Sequence, residues 1–139
     1  MPPPDLRDTG LYSDVETLEI DARHLAFAPQ YPLWTDGAAK RRWMALPPGM
    51  AIDASDPDAW TFPVGTRFWK EFAFGGRKVE TRLLWKATPE RWITAAYVWN
   101  DEQSEAKRRI IGKSVPVSWI RADGSTFDVN YQVPNTNQC

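Results

Sequence analysis

The chain is poor in the residues that usually carry chemistry. Its 139 residues include one histidine, His24, and one cysteine, Cys139. A lone cysteine excludes an internal disulfide. One ligand of each kind, far apart in sequence, does not make a zinc site. A Ser-His-Asp triad would have to run through His24, and no serine stands in a G-x-S-x-G turn. Net charge is almost absent too, because 17 basic residues face 18 acidic ones and leave −1. Proteins that hold nucleic acid through its phosphates carry a basic excess or a basic face. Only Lys40-Arg41-Arg42 and Lys107-Arg108-Arg109 hint at one, and such short runs read as solvated strand edges. No apolar run approaches the length of a membrane span. Residues 1–30 lack the charged, apolar and small-residue order of a signal peptide, although a leader already removed would leave the same picture.

Tryptophan, by contrast, is abundant, with eight copies spread along the chain. Each brings a large apolar area and one N–H in need of a partner. Aromatics distributed in this way suit the core of a β-protein, and they also suit a sugar-binding face or a cofactor pocket. Residues 1–10, with Pro2-Pro3-Pro4 and then turn formers, read as a flexible lead-in. The Ser13-Asp14-Val15-Glu16 stretch has the capping-box form and predicts a short helix near 13–18. Two prolines forbid a helix over 28–34. Asp36-Gly37 then turns the chain into a strand from Lys40 to Leu46.

The middle third has the clearest pattern. From Thr66 to Phe74, Phe68, Phe72 and Phe74 oppose Arg67, Trp69 and Glu71. Gly75-Gly76 is a two-residue hairpin signal. The return strand from Arg77 to Lys86 sets Val79, Thr81, Leu83 and Trp85 against Lys78, Glu80 and Arg82. After Thr88-Pro89-Glu90, the strand from Arg91 to Asn100 is apolar on both faces, as in a strand covered on both sides. Two further strands follow, then Asp123-Gly124 and a return over Thr126 to Val133. The total is about seven to nine mainly antiparallel strands in a sandwich or partly open barrel, preceded by a short helix or strap. The expected division is a lead-in over 1–10, one Trp-rich β-domain over 11–134 and a linker over 135–139.

No motif completes an enzyme. Glu71 and Glu80 lie on paired strands, where two carboxylates could serve glycoside hydrolysis. The basic residues around them make cross-strand charge pairing on the solvent face the simpler reading. Asp36, Asp53, Asp56, Asp58 and Asp101 occupy loops, where carboxylates can bind calcium, but their order is not that of an EF-hand. Asp in loops mostly serves turns.

Several blocks are distinctive: Tyr31-Pro32-Leu33-Trp34-Thr35-Asp36-Gly37 through Trp43, Trp60-Thr61-Phe62-Pro63 through Phe72, Val79 through Leu83, and Ala96 through Gln103. Together they resemble a family of bacterial c-type cytochrome-like proteins that includes the Shewanella-type dihaem cytochromes. The likeness runs in ordered blocks from about Gly10 to Cys139. In that family the block at Val133 to Cys139 continues into the C-x-x-C-H haem-attachment motif. The resemblance thus implies that Cys139 is the first thioether cysteine for haem c in the full-length protein. The second cysteine and the proximal histidine would lie beyond it, so this chain alone would hold no haem.

The resemblance further implies a periplasmic or cell-envelope location, and a non-catalytic accessory role in electron transfer. The partner would be a C-terminal haem domain or a redox protein, with no nucleic acid and no membrane span. Trp34, Asp36, Trp43, Trp60 and Trp69 are the expected ligand or partner surface. The alternative is a β-sandwich module that binds carbohydrate or another extracellular ligand.

Overall fold

Gly75 and Gly76 both adopt the left-handed backbone, at φ of 54° and 82°, as a tight turn between twisted strands requires. They join β5 (Arg67–Phe74) to β6 (Arg77–Thr88), and Pro89-Glu90 joins β6 to β7 (Arg91–Trp99). A computed structural model of the chain describes residues 1–28, 39–110, 112–120 and 123–133, the side chains of Trp119 and Phe127 excepted. Around the central hairpins lie β3 (Leu25–Phe27), β4 (Ala39–Ala45) and β8 (Ala106–Arg109). These form one six-stranded antiparallel meander in the order β3-β4-β5-β6-β7-β8, not closed into a barrel. The pairs β1 (Tyr12–Asp14) with β2 (Glu19–Ile20), and β9 (Lys113–Ile120) with β10 (Thr126–Val133), stand apart as two-stranded sheets. The protein is all-β and sandwich-like. Ten strands are present among the described residues, more than expected because β1 to β3 are two or three residues long and escape pattern reading.

Each face of the large sheet carries its own core. On the first, Trp43, Trp69, Leu83, Ala95, Tyr97, Trp99 and Ala106 pack against Leu6, Leu11 and Tyr12. On the second, Phe72, Phe74, Val79, Ala96 and Val98 pack against Val115, Val117, Tyr131 and Val133 of the β9-β10 hairpin. Strand β7 is therefore covered on both sides over Ala95 to Trp99, as its doubly apolar sequence predicts.

The expectation of a flexible lead-in is corrected by this packing. Leu6 is fully buried, and a short 3-10 helix spans Leu6–Thr9, capped by Asp5 and closed by Gly10 in the left-handed conformation. A side chain at Gly10 would also run into the Arg67 guanidinium. The proline-rich start is tied to β8: Arg108 N–H donates to the Pro4 carbonyl at 2.8 Å, and the Arg108 guanidinium donates to Pro2. The buried Tyr97 hydroxyl donates to Pro3 at 2.8 Å, and burial pushes its phenol up to about 12. The predicted helix at 13–18 is likewise replaced by the β1-β2 turn. There Asp14, not Ser13, is the organiser, its carboxylate accepting from the Glu16 and Thr17 N–H groups.

Asp5 anchors this segment electrostatically. Its carboxylate accepts from Arg7 at 2.8 Å and from Lys107 at 2.7 Å, across an isolated bridge to β8. The Arg7 hydrogen bond, and then Lys107, hold its carboxyl well below the usual carboxylate range, against the opposing effect of burial. A depressed folded-state value stabilises the fold above the unfolded value of about 3.9, and that contribution fades as pH falls toward the folded value. Urea midpoints should therefore drop below about pH 4. Asp5→Asn should lower the neutral-pH midpoint and shrink this acid limb.

Among the described residues, two buried polar atoms have no partner: the Tyr12 hydroxyl and the second carboxylate oxygen of Glu71. Burial, and next the Glu71 charge, push the Tyr12 phenol well above its ordinary value. An unpartnered buried hydroxyl is a liability of about 1–3 kcal/mol. Tyr12→Phe should accordingly stabilise the domain by about 1 kcal/mol in equilibrium urea unfolding.

Candidate functional site

The β9-β10 hairpin covers only part of the second face, and the part it leaves open holds an apolar groove. Strand register places two cross-strand rows there. One runs Leu25, Met44, Phe68, Leu84, Thr94 across β3 to β7. The next runs Phe27, Arg42, Lys70, Arg82 across β3 to β6. Side chains two apart on a strand share a face and lie about 7 Å from each other, so an apolar row borders a basic one.

Leu25 is 58% exposed, Phe27 41% and Leu84 36%. Phe68 sits at the centre of an aromatic group, edge-on to Phe27 at 6.1 Å and to Phe62 at 5.3 Å, and 5.9 Å from Trp92. The groove between the rows has a volume of about 330 Å³ and includes Phe27, Arg42, Phe68, Lys70, Arg82 and Leu84 in its walls. That is the size of a small-ligand pocket, mostly apolar with a few polar groups.

The residues expected from sequence to form a binding surface are not brought together here. Trp34, Asp36 and Cys139 lie outside the described residues. Trp43 and Trp69 are directly paired across β4 and β5, but on the opposite face and inside its core, at 5% and 1% exposure. Their strands alternate, so the adjacent Arg42 and Lys70 point to the other face, while Arg41 and Arg67 lie over the Trp43 and Trp69 rings. Trp60 alone of the described set is exposed, at 58%.

The other candidates also find structural employment. Glu71 stands opposite Thr81 and Glu80 opposite Phe72, which puts the two carboxylates on opposite faces of the sheet. Glu71 pairs with Arg41 at 2.9 Å, and Glu80 with Arg82. Cross-strand pairing thus describes Glu71, while Glu80 pairs along its own strand. Burial of both carboxylates corrects the expectation that they sit on the solvent face. The His24 ring stacks on Trp69 at 5.0 Å and meets the Gly10 carbonyl at 2.7 Å. Asp53 and Asp56 accept from the backbone N–H two residues on, as turn formers do. Asp101 pairs with Arg77. Among the described residues, no three His, Cys, Asp or Glu side chains cluster as a metal site would require. No helix of the described chain is long and apolar enough to cross a membrane.

Comparison with protein-family models, with curated proteins and with solved structures finds no match.

Gln103 was missed as a functional candidate and proves structural. Its amide accepts from the Lys78 N–H at 2.6 Å and donates to the Lys78 carbonyl at 2.9 Å. A side chain thus supplies the pairing that a strand residue would otherwise give.

Proposed function

We propose that this chain is a non-catalytic accessory domain that works by binding, and that the open half-face of its large sheet is the surface it offers. The observation behind this is the uneven cover of the second face. The hairpin buries Phe72, Phe74 and Val98, while Leu25, Phe27 and Leu84 of the same face keep more than a third of their surface in water. Contiguous exposed apolar surface of this kind marks interaction sites. The opposed directions of Glu71 and Glu80, and the latched position of His24, support the non-catalytic part.

In the full-length protein the domain serves an exported c-type cytochrome-like electron-transfer protein, with a C-terminal haem region or redox partner placed against it. This part rests on the sequence blocks named above, which supply most of β5, part of the first half of β6 and the end of β7. Reading the coding frame past the Cys139 codon tests it. A continuation into two residues and Cys-His, with haem absorbance after maturation in an export-competent host, is the expected result. A frame without that motif would remove the cytochrome assignment and leave the binding module.

A carbohydrate module is the second reading, favoured by the exposed Trp60. It predicts a tryptophan-fluorescence response to glycans that Trp60→Ala abolishes. A flat response across a broad glycan panel would set it aside.

A further inference from the structure

We propose that the groove on the open half-face binds a compact amphiphilic carboxylate, its anionic head on Arg42 and Lys70 and its apolar body on Phe27, Phe68 and Leu84. The inference rests on reading the open half-face as the binding surface, and adds the chemical class of its ligand. Its basis is the placement of charge. Arg42 faces Lys70 and Lys70 faces Arg82 in direct register on three neighbouring strands. Like charges directly opposite one another destabilise a sheet; Glu80 answers Arg82, so the repulsion falls on Arg42 beside Lys70.

The protein's cations are matched in different ways: Arg67 and Lys86 donate to the Thr9 and Phe62 carbonyls, and Lys78 and Lys70 lie over the Trp99 and Phe72 rings. Arg7, Arg23, Arg41, Arg77 and Lys107 each have a carboxylate within ion-pair distance. Arg82 has Glu80. Among the described residues, no carboxylate pairs with Arg42 or Lys70. Glu80 is the acid on this part of the face, and it is fully buried beneath Arg82. The cost registers on Lys70, whose ammonium is pushed below its ordinary value by burial first and then by the charges of Arg42, Lys40 and Arg82, against a smaller opposing effect of Glu80. A carboxylate between Arg42 and Lys70 would reverse those charge effects and gain charge-assisted hydrogen bonds.

The body of the ligand follows from the adjoining row. Phe68 and Leu84 are directly paired beside Lys70 and Arg82, and Phe27 closes the end of the basic row beside Arg42. The groove's volume of about 330 Å³ suits a bicyclic aromatic acid or a short alkyl one. An isolated inorganic anion would leave the apolar half unfilled.

Isothermal titration with 2-naphthoate and its uncharged analogue 2-naphthamide tests the assignment on the whole chain. Naphthoate should bind, with the amide at least tenfold weaker. Lys70→Gln and Arg42→Gln should each weaken naphthoate about tenfold while leaving the amide unchanged, since a charge-assisted hydrogen bond contributes about 1.5–3 kcal/mol. Both variants should also melt at or above the wild-type temperature because the like-charge row is relieved. Equal binding of acid and amide, or unchanged naphthoate affinity in Lys70→Gln, would overturn the carboxylate class and leave the open face as an apolar binding surface. Absence of saturable binding by both compounds would overturn the proposal together with the reading of the face beneath it.

Discussion

Trp69→Ala is expected to destabilise the domain by about 4 kcal/mol, within the range for removing a buried aromatic side chain, and to release the amino-terminal segment with it. Trp69 is 1% exposed at the centre of β5 and faces Trp43 and Leu83 on its two neighbouring strands. Its indole N–H donates to the Thr9 hydroxyl at 3.0 Å, and that hydroxyl donates to the Leu6 carbonyl at 2.7 Å. The His24 ring stacks on its face. One side chain therefore fills the first core and fastens the 3-10 helix and the segment before β3 to the sheet. Trp69→Phe separates the two roles. It keeps most of the apolar volume but loses the N–H, and should cost about 1–2 kcal/mol. Urea unfolding measures the totals, and amide exchange over residues 6–12 reports the release. Fast exchange there in Trp69→Ala, with β5 to β7 still protected, is the expected pattern. Uniform protection across both regions would show that the segment is held without Trp69.

The hairpins of this fold were legible because their signals are local. Gly75-Gly76 requires positive φ at two successive positions, and alternation on either side fixes the strands. The amino terminus was not legible, since what orders it lies far away in sequence. Pro2, Pro3 and Pro4 look like a tail until Arg108 and Tyr97 take their carbonyls as acceptors. Strand β6 shows a different limit. Strict alternation puts Val79 on the same face as Leu83 and Trp85, yet a register shift opposite Phe72/Ala73 sends Val79 into the second core and leaves Leu83 in the first. A bulge adds a residue without altering composition, so period-2 reading passes over it.

The site was hidden for a related reason. Its basic row takes one cation from each of β4, β5 and β6, and within each strand that cation looks like ordinary solvent-facing charge. Only register assembles Arg42, Lys70 and Arg82 into a row. Tryptophan drew attention in the sequence because it is frequent, but frequency tracked the core. The open face is built mostly from Phe, Leu and Met, which no motif distinguishes, with Trp92 at its margin.

The same face supplies the second large expected effect. Glu80 is completely buried on β6 with the Arg82 guanidinium as its ion-pair partner, and Arg82 also lies 4.6 Å over the Phe72 ring. The hydroxyl of Tyr131 lies 3.5 Å from the same guanidinium. Burial, and then the Glu80 charge, push the Tyr131 phenol well above its ordinary value. Arg82→Met would keep the stem that covers Phe72 but strip Glu80 of its counter-charge inside an apolar core. Removing one partner of a buried pair costs about 3–5 kcal/mol. Arg82 keeps about a third of its side chain in water, which places the expectation near the lower end, about 3 kcal/mol. The double variant Glu80→Leu with Arg82→Met removes the charge as well as its partner, and should recover most of the loss, because an apolar pair of similar volume often replaces a buried ion pair without cost. Urea titrations of the four proteins close the cycle. Recovery in the double variant identifies the stranded carboxylate as the source of the loss, whereas additive losses would assign it to packing of Arg82 over Phe72.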